Sequence, residues 1–481
     1  MQYTFYDGTI TPAAITAGTS ALGYGIVIIN SGSYSTQKVE IASNTAVYGS
    51  VGLVGFYGPT TVNVRNLGVA GSTGEINVAV DSNYGYGILL VGPTASLIST
   101  NTAFWNGSTV VGGYSNLNIG VGATTYGIAG VYGAGASLET NGTSPAINIG
   151  HDDGTGYLSV FDNAEAGTLD LDVGRNGDGG LGIDTGGLVT VGNDSGFFGN
   201  PANSGLGGRA TFGSDSGYGF LNMYLGGSLA IENADGQTDH PTLTFGLDEG
   251  SYGYANIRDN GTSVSVIQSG AAGDDFDGGA SVRIGAGGSA VVIVQTDAML
   301  SVLGDGAYLG VATGDGLGGP TTSDESRLRI LSGADVLVDA QGYSGEGSAA
   351  KVIIGGVSGG DGDVLVNGAG STLTIDSSGA AGFGGLLIVG GAGEGTLAIS
   401  DGGLVQNIAP DGVTEIGSDP AGNGTATVTG AASRLDAGKL LLIGAAFDAG
   451  TETPQPQNGG EGALNLVDGS TVSASTTLVG S

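Results

Sequence analysis

The chain is 481 residues long, with 100 Gly, 11 Lys or Arg and no Cys, and its formal net charge is -34. Disulfides and zinc–thiolate clusters are therefore excluded, and so is recognition of nucleic-acid phosphates or of an anionic membrane surface, both of which rest on Lys and Arg. Hydrophobic residues make up 40% of the chain against 12% charged, too apolar for disorder, while Gly at this density disfavours helix and serves turns. The prediction is an all-β protein with almost no helix.

Taken in order, the chain opens on MQYTFYD at 1–7, which has neither the basic nor the apolar stretch of a cleavable signal peptide, so none is expected. No apolar run reaches the roughly 20 residues of a spanning helix, and no membrane insertion of this segment is expected. Short strands are predicted at 25–29 (GIVII) and 62–64 (VNV). Residues 1–150 hold 11 of the 18 Tyr and 5 acids against 2 bases, a net of -3. Residues 151–481 hold 40 acids against 9 bases, a net of -31. This shift predicts two regions of one architecture: a Tyr-rich, weakly charged β region over 1–150 and acidic Gly/Asp-rich repeats over 151–481.

The repeats are clearest toward the C-terminus. KVIIG at 351–355 is answered by LLIVG at 386–390, VTEIG at 413–417, LLLIG at 440–444 and TTLVG at 476–480, the final Gly residues being 35, 27, 27 and 36 apart. Between them recurs a second phrase: DVLVNG at 363–368, TLAISDG at 396–402, TATVTG at 425–430 and ALNLVDG at 463–469. A third short strand follows, as in STLTI at 371–375. Looser copies of the strand-ending Gly stand at 147–150, 171–174, 189–192 and 282–285, and residues 450–462, with Pro454 and Pro456, read as an inserted loop.

A unit of about 27 residues with three strands forms one turn of a parallel coil, in which each strand pairs with its counterpart about 4.8 Å away. Leu397 and Ile399 are predicted to point inward, Thr396 and Ala398 outward. The fold expected is a parallel β-helix, or β-solenoid, of roughly 15 to 20 turns.

These phrases, and most closely AGSTL at 369–373 and AASRL at 431–435, resemble the strand-loop-strand repeats of bacterial autotransporter passenger domains and related surface proteins. The resemblance covers residues 351–481 well and is traceable from about 145. It implies a parallel β-helix exported to the cell surface and brings no catalytic residues with it. No C-terminal membrane barrel is expected within the chain.

Calcium is the cofactor the sequence invites, since Gly-rich turns free backbone carbonyls and Asp supplies hard oxygen ligands. GGLGID at 179–184 fits the start of a calcium-binding nonapeptide and places Asp184, but Gly186 stands where a large apolar residue belongs. Asp361 and Asp363 lie in GGDGD at 359–363, and Asp274, Asp275 and Asp277 in DDFD at 274–277. For each of these the plainer reading is an aspartate at a solvated turn. Asp324, Glu325, Arg327 and Arg329 form the densest mixed-charge group, which a polysaccharide lyase would need and a charged strand edge would equally produce. His151 is read as capping a turn. Leu478 and Val479 in the last phrase, with Tyr3 and Phe5 in the first, are candidates for self-association, because a solenoid ends in unpaired strands. The expectation is a secreted or cell-surface structural or adhesive protein, self-associating into a filament, stalk or matrix, and not an enzyme. Surface glycans are a further expected partner, and a glycan-binding module or polysaccharide-degrading enzyme is the alternative.

Overall fold

The computed structural model describes residues 2–7, 14–18, 24–42, 51–65, 74–80, 84–101, 104–105, 110–111, 116–142, 145–192, 207–233, 240–268, 279–314, 325–340, 349–377, 384–448, 453–455 and 459–480. Contacts divide the chain into two units, Met1–Ala234 and Asp235–Ser481. Both are built from the same rung of three strands, one on each of three faces.

In unit 2 a representative rung runs from Leu386–Val389 on face C to Glu394–Ser400 on face A and Leu404–Asn407 on face B, and the next begins with Val413–Ile416 on face C. Each strand pairs in parallel with its counterpart one rung on, for example Leu387 with Thr414 and Leu397 with Ala426. Among the described residues, face C has seven strands in unit 1 and eight in unit 2. The protein is a parallel β-helix, with no helical segment among the described residues.

The pleat divides the residues as the alternation requires. On Glu394–Ser400 Leu397 and Ile399 are buried, while Thr396 and Ala398 face out. Like residues stack on like along the axis, as Val54, Leu89, Ala129, Leu158, Leu181 and Leu221 do in unit 1, each no more than 1% exposed. One rung cannot bury its own apolar side; its neighbours above and below do so.

Two glycines shape the corner from face C to face A. Gly390 ends its strand at φ +69°, and a Cβ there would lie 2.4 Å from the Asn423 carbonyl group. Gly395 points inward from the following strand, where a Cβ would meet the Gly390 nitrogen at 2.1 Å. The corner from face A to face B uses a buried serine. Ser371 Oγ accepts a hydrogen bond from the Gly333 N–H one rung back at 3.0 Å, and Ser433 Oγ does the same for Gly402 at 3.0 Å. At the same corner Ala95, Ala136 and Ala164 in unit 1, and Ala298 and Ala334 in unit 2, fill the space without the bond.

The variable repeat length has a location. Most of the extra length in the 35-residue step from Gly355 to Gly390 falls between the face B strand Thr372–Asp376 and the face C strand Leu386–Val389, while the 36-residue step from Gly444 to Gly480 gains its length between faces C and A. In that second insertion Ala446–Asp448 pairs antiparallel with Thr453–Gln455.

One strand lies elsewhere than its sequence suggests. Residues 189–192 end in Gly like the face C phrases, yet Leu188–Gly192 belongs to face B and pairs with Glu165–Thr168. The composition shift at residue 150 falls inside unit 1, where Asn116–Val121, Ala146–His151 and Asp170–Arg175 form one continuous ladder. That shift changes the surface while the backbone continues unaltered.

Candidate functional site

With the inner wall alike throughout, differences between the units lie on the outward sides. On face A of unit 1 the outward positions form columns: Ile26, Leu53, Ile88, Ile128 and Tyr157 in one, Val51, Tyr86 and Tyr126 beside it, and Ile28 and Leu90 on the other side. These side chains are half-buried, so each retains surface toward solvent. The rings touch one another: Tyr86 stacks on Tyr126 with centroids 5.1 Å apart, Tyr157 lies 5.6 Å from Tyr126, and Tyr132 stacks on Phe161 at 5.5 Å.

Glycines flatten this surface. The Phe220 ring crosses Gly180, where a Cβ would sit 2.2 Å from its Cζ, and reaches to 5.7 Å from Tyr157. Tyr57 covers Gly55 and Gly92 in the same way, and its hydroxyl is hydrogen-bonded to Tyr132. Burial first, then that bond, pushes the Tyr57 pKa up to about 12.

On the corresponding side of unit 2 the first two strands still carry Tyr252, Tyr254, Val291 and Ile293 outward. The side turns polar from the third strand on, with Arg327 and Arg329, then Asp361 and Asp363, then Glu394 and Thr396, then Asn423 and Thr425. Arg327 is paired with Glu325. Burial raises the carboxyls of Asp361 and Asp363; Glu325 and Glu394 add to this at Asp361, while Arg329 and Arg327 oppose it at Asp363.

Face C carries a group of buried ionisable residues in unit 1 that sequence reading missed. Asn77, Asn118 and Asn148 stack outward, each amide donating to the one before at 2.8 Å. Asp172 takes the next position. His151 is 2% exposed, its Nε2 3.2 Å from the Asp172 carbonyl oxygen and 3.6 Å from Asp172 Oδ2. Since a carbonyl only accepts, the proton sits on Nε2. Arg175 lies 4.0 Å from the same carboxylate, and Arg209 3.5 Å from Asp170. Burial lowers the His151 pKa and raises those of Asp172 and Asp170. The Ser214 hydroxyl donates to Asp172 Oδ1 at 3.5 Å. It therefore meets the carboxylate and not the imidazole, the reverse of the order a nucleophile and its base require. The carbonyl of His151 accepts from the Gly154 N–H at 2.9 Å and so closes the turn the sequence suggested, while its ring lies against Asp172, a contact no local motif announces because Asp172 arrives from the next rung.

Of the other predicted residues, Asp361 and Asp363 share the outward side of one strand, and Asp184 sits at a corner where its carbonyl accepts from the Gly187 N–H at 2.8 Å. Asp274, Asp275, Asp277 and Asp324 lie outside the described residues. Among the described residues no three His, Asp or Glu are gathered to hold a metal ion. Tyr3 pairs in register with Ile26 and Phe5 with Ile28, which aligns both with the apolar columns of face A. Leu478 continues the outward column Ile388, Glu415, Leu442, while Val479 follows Ile416 and Ile443; both are exposed, Val479 by 69%.

No protein-family model matches the chain, and no curated protein does. Among solved structures it is similar to the TibC-catalyzed hyper-glycosylated TibA55-350 fragment, at 13% identity and a TM-score of 0.31 over 98% of this chain and 99% of that one.

Proposed function

We propose that this chain is a non-catalytic, adhesive β-helical element of the bacterial cell exterior. The observation that carries this reading is the apolar, ring-bearing outward side of face A in unit 1, since contiguous apolar surface of that kind marks contact with a partner. The acid-rich surface of unit 2 keeps the molecule soluble and apart from like-charged surfaces. Calcium is proposed as an accessory that screens those acids; a melting temperature unmoved by chelator removes it from the account. A further contact is proposed at the last described rung, where another β rung would cover the exposed Leu466, Val467, Leu478 and Val479.

Glycan binding is the second reading, favoured by the flat rings of Tyr57 and Phe220. It is the weaker one because sugar hydroxyls need polar partners beside the rings, and the columns around Ile88 and Ile128 are aliphatic.

The test is adhesion. Beads coated with the protein should bind bacterial cells or one another, and Ile88→Lys should reduce this about tenfold or more. Adhesion unchanged by Ile88→Lys, or release of sugar from a panel of polysaccharides incubated with the protein, overturns the proposal.

A further inference from the structure

We infer that the outward side of face A in unit 1 is covered by the same side of a second copy, so that two chains pack sheet against sheet around a two-fold axis. This inference rests on the adhesive reading above and names its partner.

Area, relief and charge each point to that occupant. Seven rungs, from Tyr24–Thr36 to Tyr218–Met223, contribute a strand to this face. At about 4.8 Å per rung and about 3.3 Å per residue along strands of six or seven, the face measures about 600 Å² in projection. Side chains standing off a sheet expose more than its projection, which brings the face close to the roughly 800 Å² per partner of a stable interface. Its relief is low, because Gly55, Gly92 and Gly180 let the rings of Tyr57 and Phe220 lie across the sheet. Sheets that pack face to face need such a surface on both partners, and a two-fold axis supplies it twice from one sequence.

The charge distribution favours a copy of the same chain. A molecule of net charge -34 repels its own kind, and the repulsion is least where acids are fewest. Residues 1–150, which supply the columns around Ile88 and Ile128, hold 5 acids and 2 bases. On this side the outward positions from Val51 to Tyr157 are Val, Leu, Ile, Tyr and Thr in the first two columns, and Asp178 on the following rung is the one ionised group in those columns as far as Tyr218. A soluble glycan would leave most of its hydroxyls without partners beside the aliphatic columns, whereas a second copy brings few polar groups, chiefly Tyr and Thr hydroxyls, that need one.

Sedimentation equilibrium of the chain should return twice the 46.6 kDa monomer mass, in low salt and more strongly at high salt, where the acids are screened. Ile88→Lys places a charge in the centre of the face, opposed by its symmetry mate, and should weaken association about 100-fold. Tyr126→Asp should do the same from the neighbouring column. Thr396→Lys, at the equivalent strand position in unit 2, should leave the dimer intact. Circular dichroism confirms folding, which outward substitutions are expected to preserve. A monomeric wild type at high salt, or a dimer indifferent to both Ile88→Lys and Tyr126→Asp, overturns the inference. If the monomer still loses cell adhesion on Ile88→Lys, the adhesive reading stands and only the partner is wrong; retention of a soluble polysaccharide by that monomer would make a glycan the occupant.

Discussion

Unit 1 and unit 2 share an interior and differ in what they show to solvent. Inside, the column Val54, Leu89, Ala129, Leu158 of unit 1, two residues after the corner glycine, is matched by Val364, Leu397 and Ala426 of unit 2, every member 1% exposed or less. Outside, face A is apolar and ringed through most of unit 1 and the first two strands of unit 2, and charged or polar from Arg327 onward. On face C the assignment reverses. Unit 1 there carries the amides Asn77, Asn118 and Asn148, whereas in unit 2 Ile353, Ile388 and Leu442 share the outward column with a buried Glu415. Val413, Leu442 and Ala445 make a small apolar cluster on that side. The pleat separates the two roles, so the outward half of each strand is free to vary while the inward half is held by stacking.

If the interiors are equivalent, corner glycines should be equally intolerant in both units. Gly127→Val brings a Cβ within 2.4 Å of the Gly120 nitrogen and Gly395→Val within 2.1 Å of the Gly390 nitrogen. Each is expected to cost about 3 kcal/mol or more, because backbone cannot yield as a side chain does. Urea unfolding reads this directly, and a large loss in one unit alone would break the equivalence.

The outward ladders should matter less. Asn118→Ala removes a bond to Asn77 and leaves the Asn148 amide without its acceptor, an expected loss of about 1 to 2 kcal/mol by the same measurement. A neutral result would mean that water replaces the amide.

Acid should separate the units by a smaller margin. The folded state disfavours protonated His151, so its contribution is complete above the ordinary imidazole range near 6.5 and is lost as pH falls through its lowered value. Asp172 and Asp170 act oppositely: their raised pKa values mean that stability recovers as pH falls from those values toward the ordinary carboxylate range. Asp172, Arg175 and Asp152 all act on His151, with Asp170 and Arg209 beside the pair. Wild-type stability should therefore dip below about pH 6.5, and His151→Gln should flatten the dip. A profile unaltered by His151→Gln would show that the imidazole does not titrate in the folded protein.

The smallest effect is expected on face A of unit 2. Arg327→Ala should cost less than about 1 kcal/mol and only at low salt, since the pair with Glu325 is largely exposed. Salt-independent destabilisation would instead indicate lost packing by the arginine stem.

The scaffold was legible where glycine and serine do specific work. The face C strands from 351 onward were visible through their terminal Gly, which at 355, 390 and 417 takes positive φ and leaves no room for a Cβ. Earlier rungs were hard to phase for a physical reason: Ala42 and Ala79 occupy the same corner at φ 51° and 53°, and so erase the letter that marks it. The AGSTL and AASRL phrases stand out because Ser371 and Ser433 bond across rungs, a task that Ala95 and Ala136 do not perform. Leu188–Gly192 shows the converse error, a face B strand that ends in Gly for its own reasons. The candidate face was harder to read. Its Tyr residues were conspicuous in composition, but Tyr86 and Tyr126 are neighbours only because rungs of unequal length align them, and His151 meets Asp172 by the same route.

That alignment carries a consequence for how such a chain can change. The step from Gly355 to Gly390 is 35 residues and the next is 27, yet Val352 still pairs with Leu387 and Leu387 with Thr414. Each rung finds its place from its own corner, so a length error in one loop is forgotten before the following strand begins. In a hairpin sheet the same error would slip the register and invert every side chain. Here a dozen foreign residues spliced into 378–383 should be carried silently, which makes the joints between faces B and C a natural shelf for an epitope or reporter.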